Sequence, residues 1–301
     1  MKKTISYIIL LALCVCCGKD SENPNIEFTQ TLPILFSCQI NNIILGKSII
    51  SENTFPANSP IGVFAWGHKL NEIELSAVRK DLNNKTYTKS SNSNEFTTDS
   101  HAHYPINPDT LVNFYAYYPY TDAATATPLS IPFNLKNQDD IMWATPVTDR
   151  DKTTADQKVN LSFNHILSAV TLKFKKADDI KEDMILQSIS MENYSSTIQL
   201  NVQTGILSAN ASISPFTIDS KSEAITSTET TIVTDYLLYP VDKPVFIVKI
   251  SGKDYRIESK KGFEKGKKQT YTFTIQASDI SLSGSINPWV DGGTSDETIY
   301  F

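Results

Sequence analysis

The chain has 301 residues, with 27 lysines and arginines against 33 aspartates and glutamates and a formal net charge of −6. Nucleic acid requires a concentrated cationic face that displaces counterions. The charges here are scattered, with basic clusters only at Lys260-Lys261 and Lys265-Gly-Lys-Lys268, so nucleic acid and anionic lipid bound by charge are excluded as partners.

The N-terminus is basic at Lys2 and Lys3, apolar from Ile5 to Val15 apart from Ser6, and then switches abruptly through Cys16-Cys17 to Gly18-Lys19-Asp20-Ser21-Glu22. A basic start, a run of about a dozen apolar residues and a polar switch make a secretory signal peptide. The run is shorter than the roughly 20 residues a helix needs to cross a bilayer. It ends in cysteines, where a freely secreted protein has a small-residue cleavage site, and this resembles a bacterial lipoprotein signal, cut just before an acylated cysteine. Cys14, Cys16 and Cys17 are candidates; Cys17 is favoured because the hydrophilic segment follows it directly. Residues 1–16 are then the signal and 17–30 a polar tether containing Pro24. Loss of Lys2 and Lys3 leaves 25 basic and 33 acidic side chains, a net charge of −8. The acyl chains hold the protein at the outer membrane, each buried methylene contributing about 0.8 kcal/mol. The acids after Cys17 resemble the signal that sends Bacteroidales lipoproteins to the cell surface.

Cys38 is then the one cysteine of the body, which can form no intrachain disulfide. Stability rests on burial, for which about 280 residues suffice as two domains. Cys38 lies in Pro33-Ile-Leu-Phe-Ser-Cys-Gln-Ile40 and is expected to be a small buried hydrophobe.

Short strands follow. Ile61–Trp66 and Pro244–Ile250 are apolar enough to be buried on both faces. Leu70–Val78 is the best short helical candidate. Thr86–Ser100, rich in Ser, Thr and Asn, is expected to be an exposed hairpin. Val112–Tyr118 alternates, with Val112, Phe114, Ala116 and Tyr118 on one face and Asn113, Tyr115 and Tyr117 on the other. Ser168–Phe174 and Tyr271–Ile275 alternate likewise, and Ser251-Gly252-Lys253-Asp254 marks a hairpin before Tyr255–Ile257. The polar, aromatic-free stretch Thr145–Lys158 reads as a linker or long loop between two β-sandwiches. The expected architecture is mainly β: two antiparallel β-sandwich domains, 31–155 and 156–301, after the signal and tether.

Catalytic constellations are lacking. There is no Gly-x-Ser-x-Gly, no glycine-rich phosphate loop and no Cys-x-x-Cys apart from the lipidation region. His101-Ala-His103 would point both rings to one face of a strand, as a metal pair requires, but no third ligand accompanies them, and a strand edge is expected. His165 is expected to be packed and hydrogen-bonded, and His68 to decorate a turn beside Trp66. The adjacent acids Asp139-Asp140 and Asp178-Asp179 would face opposite ways on a strand. Tyr115, Tyr117, Tyr118 and Tyr120 suit core packing better than a sugar-stacking platform. No catalytic residue, metal site or cofactor is expected, and the chain is not expected to be an enzyme.

Several segments, in order, resemble the fimbrillin family of Bacteroidales, in its fimbrillin-like lipoprotein branch. They are Ser59-Pro-Ile-Gly-Val-Phe-Ala65, Asn113-Phe-Tyr-Ala-Tyr-Tyr-Pro119, Asp140-Ile-Met-Trp-Ala144, Phe163-Asn-His-Ile-Leu-Ser-Ala-Val170, Thr204-Gly205, Lys261-Gly-Phe-Glu-Lys-Gly266 before Tyr271–Ile275, and Ile286-Asn-Pro-Trp289. The resemblance implies two sandwiches of transthyretin-like topology and a role as stalk, tip or anchor subunit of surface fimbriae. It also implies assembly with sibling subunits by donor-strand exchange: an arginine-specific protease removes the first strand of a stalk precursor, and a strand donated by the next subunit fills the groove. This chain departs from that pattern. Its first arginine after the signal is Arg79, and Phe36–Ile50 contains only Lys47 as a basic residue. Either a lysine-directed enzyme cuts at Lys47, or the strand stays and the protein is an uncleaved anchor, tip or accessory subunit. The tail after Trp289 is short, with only Thr298–Phe301 able to add a strand. A second reading from the same composition is a monomeric surface lipoprotein that binds a host or dietary glycan, with a host protein as a further partner.

Overall fold

The computed structural model describes residues 32–41, 54–74, 77–93, 95–107, 109–154, 158–209, 214–277, 280–288 and 297–299. The signal, Cys17, the tether and Lys47 lie outside the described residues. The protein is mainly β, and among the described residues the helical turns are 3₁₀ turns of three or four residues.

The first strands are β1 (Phe36–Ile40), β2 (Pro60–Lys69), β3 (Lys85–Lys89), β4 (Glu95–Thr97) and β5 (Thr110–Tyr118). They are followed by β6 (Ile131–Asn134), β7 (Met142–Thr145), β8 (Val147–Arg150) and β9 (Val159–His165). All but β6 form one sheet whose pairing runs β1–β4–β3–β2–β5–β7–β9 and returns to β1. The strands therefore wrap around a core, and each strand of this circuit has a partner on both sides, which limits the exposed edge that invites foreign pairing. β7 and β8 share one side of β5 and are separated by Pro146, which has no N–H to offer a ladder.

Both faces of β2 are buried, as its unbroken apolar run requires. Ile61, Val63 and Ala65 enter the core enclosed by the circuit, with Phe36, Tyr87, Phe96, Val112, Phe114 and Phe163. Phe64 and Trp66 face out of the circuit and, with Tyr115 and Tyr117 of β5, join a second core that continues through the rest of the chain. Gly62 is needed for this closeness: a Cβ there would lie 2.2 Å from the Tyr117 ring.

The second half contains β10 (Ser168–Lys176), β11 (Met184–Met191), β12 (Thr197–Leu200), β13 (Leu207–Ala209), β14 (Phe216–Asp219) and β15 (Glu223–Ile225). It ends with β16 (Thr230–Leu238), β17 (Val245–Ile250), β18 (Lys253–Glu258), β19 (Lys267–Ile275), β20 (Ile280–Pro288) and β21 (Glu297–Ile299). One sheet has the order β16–β10–β19–β20–β21 and another β14–β11–β17–β18, with β15 also on β11. Phe174, Phe246, Tyr271 and Phe273 fill the space between them; the Phe174 and Phe273 rings stack at 4.5 Å, and Phe246 meets Phe273 edge-on at 5.3 Å. β1–β9 and β10–β19 are parallel, an addition to the expected antiparallel pattern.

A three-stranded sheet, β13–β12–β6, joins the halves, because β6 comes from the first and β12 from the second. It covers the outward aromatics of β2 and β5, and so the second face of β5 is buried. The polar stretch from Thr145 to Lys158 contains β8 and a 3₁₀ turn, and β9 beyond it returns to the first sheet.

Three local expectations are corrected. The described part of Leu70–Val78 is turn and irregular chain rather than helix; Leu70 and Ile73 are exposed, so no apolar helical face is available to bury. His68 is not in a turn: β2 runs on through Lys69 against β5, burying the ring. β17 buries one face, Phe246, Val248 and Ile250, while Val245, Ile247 and Lys249 are half-covered. The β17–β18 hairpin has the two-residue turn Ser251-Gly252, both at positive φ, which fits the right-handed strand twist.

Candidate functional site

The circuit of the first sheet is closed by its first strand, and that strand is where the sequence resemblance places assembly. β1 alternates: Phe36, Cys38 and Ile40 are buried, while Ser37 and Gln39 face out. Upstream, Ile34 is also fully buried. The Phe36 ring meets Tyr87 at 4.8 Å and Phe114 at 5.4 Å, both edge-on.

The backbone of this segment is held on both sides. β9 pairs with all five residues of β1, Phe36↔Val159 through Ile40↔Phe163. On the other side β4 pairs only with Phe36 and Ser37, and residues 102–104 take over upstream: the Ile34 amide donates to Ala102 O (2.8 Å) and the Tyr104 amide to Leu32 O (3.0 Å). The solvent face is held by side chains. Ser37 bonds to Asn160, Gln39 Nε2 donates to Ser162 Oγ at 3.0 Å, and Asn41 Nδ2 donates to Asn164 Oδ1 at 3.2 Å. Glu95 of β4 and Lys158, just before β9, form an ion pair that reaches across the start of β1. Hydrogen bonding to Lys158 holds the Glu95 carboxyl below its usual range.

Burial pushes the Cys38 thiol well above its usual pKa, with Lys89 acting in the opposite sense. Lys89 is itself buried, its ammonium capped by the carbonyls of Ser90 and Ser93. A thiol kept protonated is a poor nucleophile, and Cys38 serves as packing.

The arrangement can release or exchange a strand. Withdrawing β1 would strip the ladder from β9, free the end of β4 and open a slot shaped for Phe36, Cys38 and Ile40. An unpaired strand edge beside an exposed apolar slot is a template for another strand.

The other residues singled out from sequence do not converge on chemistry. Among the described residues no group of three or more His, Cys, Asp or Glu is placed to hold a metal. His101 and His103 flank Ala102 beside residues 32–34, and His103 is exposed. His165 is packed, its Nδ1 lying 2.9 Å from Asp140 Oδ1. His68 has Nδ1 3.0 Å from Lys69 O, with Nε2 3.2 Å from Asn113 Oδ1 and 3.1 Å from Asp149 Oδ1. Tyr115 and Tyr117 are core residues; Tyr117 Oη donates to Asn84 Oδ1 at 2.7 Å and accepts from the Thr121 amide at 3.1 Å. Arg79 is bonded through Nε and Nη2 to Asp81 and through Nη2 to His103 O. The C-terminal segment Glu297–Ile299 pairs with β20 of its own chain.

Sequence reading missed the polar contacts that fasten the halves. The Gln138 side chain pairs with the Leu237 backbone, Nε2 donating to Leu237 O (3.2 Å) and Oε1 accepting from Leu237 N (2.8 Å). Glu74 accepts from Asn113 and Gln203, both at 2.8 Å, and from Tyr115 Oη at 3.0 Å. Trp143 Nε1 donates to Val202 O at 2.7 Å, and its ring lies over Gly205, where a Cβ would be 2.5 Å away. The local signals were the motifs containing Asn113 and Tyr115, Trp143, and Thr204-Gly205; Glu74, Gln138 and Gln203 had none.

A closed first sheet joined through a shared core to a two-sheet second half defines a mainly β protein. The fimbrillin-like family profile matches residues 49–289, and the chain belongs to that family. No curated protein matches the sequence. Among solved structures, a Bacteroides ovatus protein proposed to act in cell adhesion is similar at TM-score 0.56 and 17% identity, over 88% of this chain and 100% of the other. A fimbrial protein from Bacteroides vulgatus is similar at TM-score 0.54 and 13% identity, over 85% of this chain and 99% of the other. A Bacteroides uniformis protein, also proposed to act in cell adhesion, is similar at TM-score 0.50 and 19% identity, over 85% and 98%. At these identities the likeness is one of fold.

Proposed function

We propose that this chain is a subunit of cell-surface fimbriae, delivered as a lipoprotein acylated at Cys17 and joined to sibling subunits by strand exchange at the seat of β1. The observation that carries this reading is the position of β1 itself: the first strand closes a sheet that is otherwise complete, and it lies between Cys17 and Lys47 in sequence. A cut after Lys47 removes the lipid anchor and the plug strand in one piece, which turns a tethered, closed subunit into a free one with an open slot. Without the cut the subunit stays anchored and closed, suited to the base of a filament. The family membership and the fold shared with a fimbrial protein support the same role. We divide the chain into two functional halves after His165, where β9 completes the first sheet.

The test is mass spectrometry of the protein extracted from cell surfaces, alongside an unboiled gel. Stalk subunits are expected to begin at Ser48 and to run as heat-labile, SDS-resistant ladders; anchor subunits are expected to begin at an acylated Cys17, and Cys17→Ala to abolish lipid labelling. A protein that never enters a ladder, whichever N-terminus it carries, refutes the fimbrial reading.

A further inference from the structure

Among the described residues β8 is held in its sheet only by β5, through the ladder pairs Val112↔Arg150 and Phe114↔Val147 with a register shift between them. On its other side a hollow of about 480 Å³, lined by Val147, Arg150, Lys158, Val159 and Asn160, lies between β8 and the start of β9. A strand with so short a ladder and room beside it depends on side chains to hold it. We propose that a proton on His68 fastens β8 to the first sheet, so that β8 is secure in mild acid and loosens when the imidazole is neutral.

The ring of His68 is buried, and both its nitrogens meet oxygens that only accept. Nδ1 lies 3.0 Å from Lys69 O, and Nε2 lies 3.2 Å from Asn113 Oδ1 and 3.1 Å from the Asp149 carboxylate. The Asn113 amide cannot turn to offer a donor. Its Nδ2 donates to Glu74 Oε1 at 2.8 Å and its Oδ1 accepts from the Asp149 amide at 2.9 Å, and turning it would break both bonds. A neutral imidazole has one N–H and one lone pair. Either tautomer therefore turns a lone pair toward an oxygen, and a shielded polar group left unsatisfied in this way costs free energy. Only the imidazolium donates on both sides.

The backbone of β8 shows why this contact matters. Asp149 sits at φ +58°, a left-handed conformation that a non-glycine residue keeps only when its surroundings hold it. Two contacts do so: its amide is bonded to Asn113, and its carboxylate faces His68. The charged groups around the ring are Asp149 on β8, Glu74 beyond the Asn113 amide, and Lys69, the next residue of β2, whose Nζ lies 4.0 Å from Glu72 Oε1. Tyr115 of β5 is turned to Glu74, to which its hydroxyl donates at 3.0 Å. A proton on the ring balances the Asp149 charge beside it. A fastening that requires a proton is complete below the range in which histidine ordinarily titrates, about 6.5, and is lost as pH rises.

The experiment follows hydrogen exchange of the full-length protein by mass spectrometry, in peptides covering β8, at about pH 5.5 and about pH 8.5 after correction for the intrinsic pH dependence of amide exchange. Nitrogen-15 shifts of labelled histidine report the state of the ring in the same samples. At the lower pH both nitrogens of His68 are expected to carry protons and β8 to be protected. At the higher pH the protection of β8 is expected to fall about tenfold, the scale of one hydrogen bond to a charged group, while that of β10 in the second half is unchanged. His68→Gln, which cannot titrate, is expected to abolish the step. Asp149→Asn, at an exposed side chain whose amide can answer the ring in either state, is expected to remove most of it, and His103→Gln to leave it as in the wild type. A neutral His68 at the lower pH, equal protection of β8 at both, or a step of wild-type size in His68→Gln or Asp149→Asn overturns the proposal. If His68→Gln does not fold, the wild-type ring shifts and Asp149→Asn decide the matter.

Discussion

Replacing Phe36 with alanine tests whether β1 is an integral part of the first core. The side chain is 1% exposed and touches two aromatic rings edge-on, Tyr87 and Phe114. Truncating a buried phenylalanine costs about 3–5 kcal/mol, the lost transfer energy plus the cavity left behind. The walls here are strands paired on both sides and cannot collapse freely, so about 4 kcal/mol is expected. With a urea dependence of about 3 kcal/mol per molar for a chain of this size, the unfolding midpoint should fall by about 1.3 M. Ser37→Ala, one residue along and on the solvent face, should stay within about 0.5 kcal/mol. Equilibrium urea unfolding followed by the fluorescence of Trp66 and Trp143 reads both. A Phe36→Ala shift below about 0.3 M, indistinguishable from that of Ser37→Ala, would mean that β1 is not packed as described and would remove the physical basis for strand release.

Cys38 provides a second probe of the same strand: its buried thiol should resist an aromatic disulfide reagent in the closed protein and react once the segment containing β1 is released, and fast labelling of the closed form would contradict the seat. Gly205→Ala should destabilise by about 3 kcal/mol, since the residue sits at φ +67° and the new methyl would meet the Trp143 ring; an unchanged melting temperature would contradict the Trp143 contact between the halves. Burial pushes the Tyr87 hydroxyl up to about 12 and raises those of Tyr115, Tyr117, Tyr194 and Tyr271, again chiefly by desolvation. A raised folded-state pKa contributes stability that is complete below the unfolded value near 10 and is lost as pH climbs toward 12. Stability should therefore fall between pH 10 and 12, and the buried tyrosines should ionise, read at 295 nm, only as the protein unfolds; normal titration of all tyrosines near pH 10 in folded protein would refute it.

Much of this protein was legible in one dimension because the information is local. Period-two alternation in Ser168–Phe174 and Tyr271–Ile275 identifies the buried face without any partner, since adjacent strand residues point to opposite sides. The unbroken apolar run Ile61–Trp66 required burial on both faces, and it has it. Ser251-Gly252 marked its hairpin because positive φ is a property of the residue itself. Cys38 and His165 packed as their apolar flanks implied.

What the chain order could not convey is what lies across from a face. Val112–Tyr118 shows two faces but not that Tyr115 and Tyr117 would be covered by β6 and β12, strands from opposite halves. His68 looked like a turn residue because Gly67 precedes it, yet ladder pairing with β5 carried the strand through it. Glu74, Gln138 and Gln203 are unremarkable in sequence; their roles arise from partners 39 to 129 positions away. Sequence alone placed several strands and the buried faces of Ser168–Phe174 and Tyr271–Ile275, because these follow from residue type and period, while the family came from the resemblance of ordered segments. Tertiary structure alone decided that β1 closes the circuit, that the halves share a core and which polar groups converge, because those depend on contacts between residues far apart in the chain.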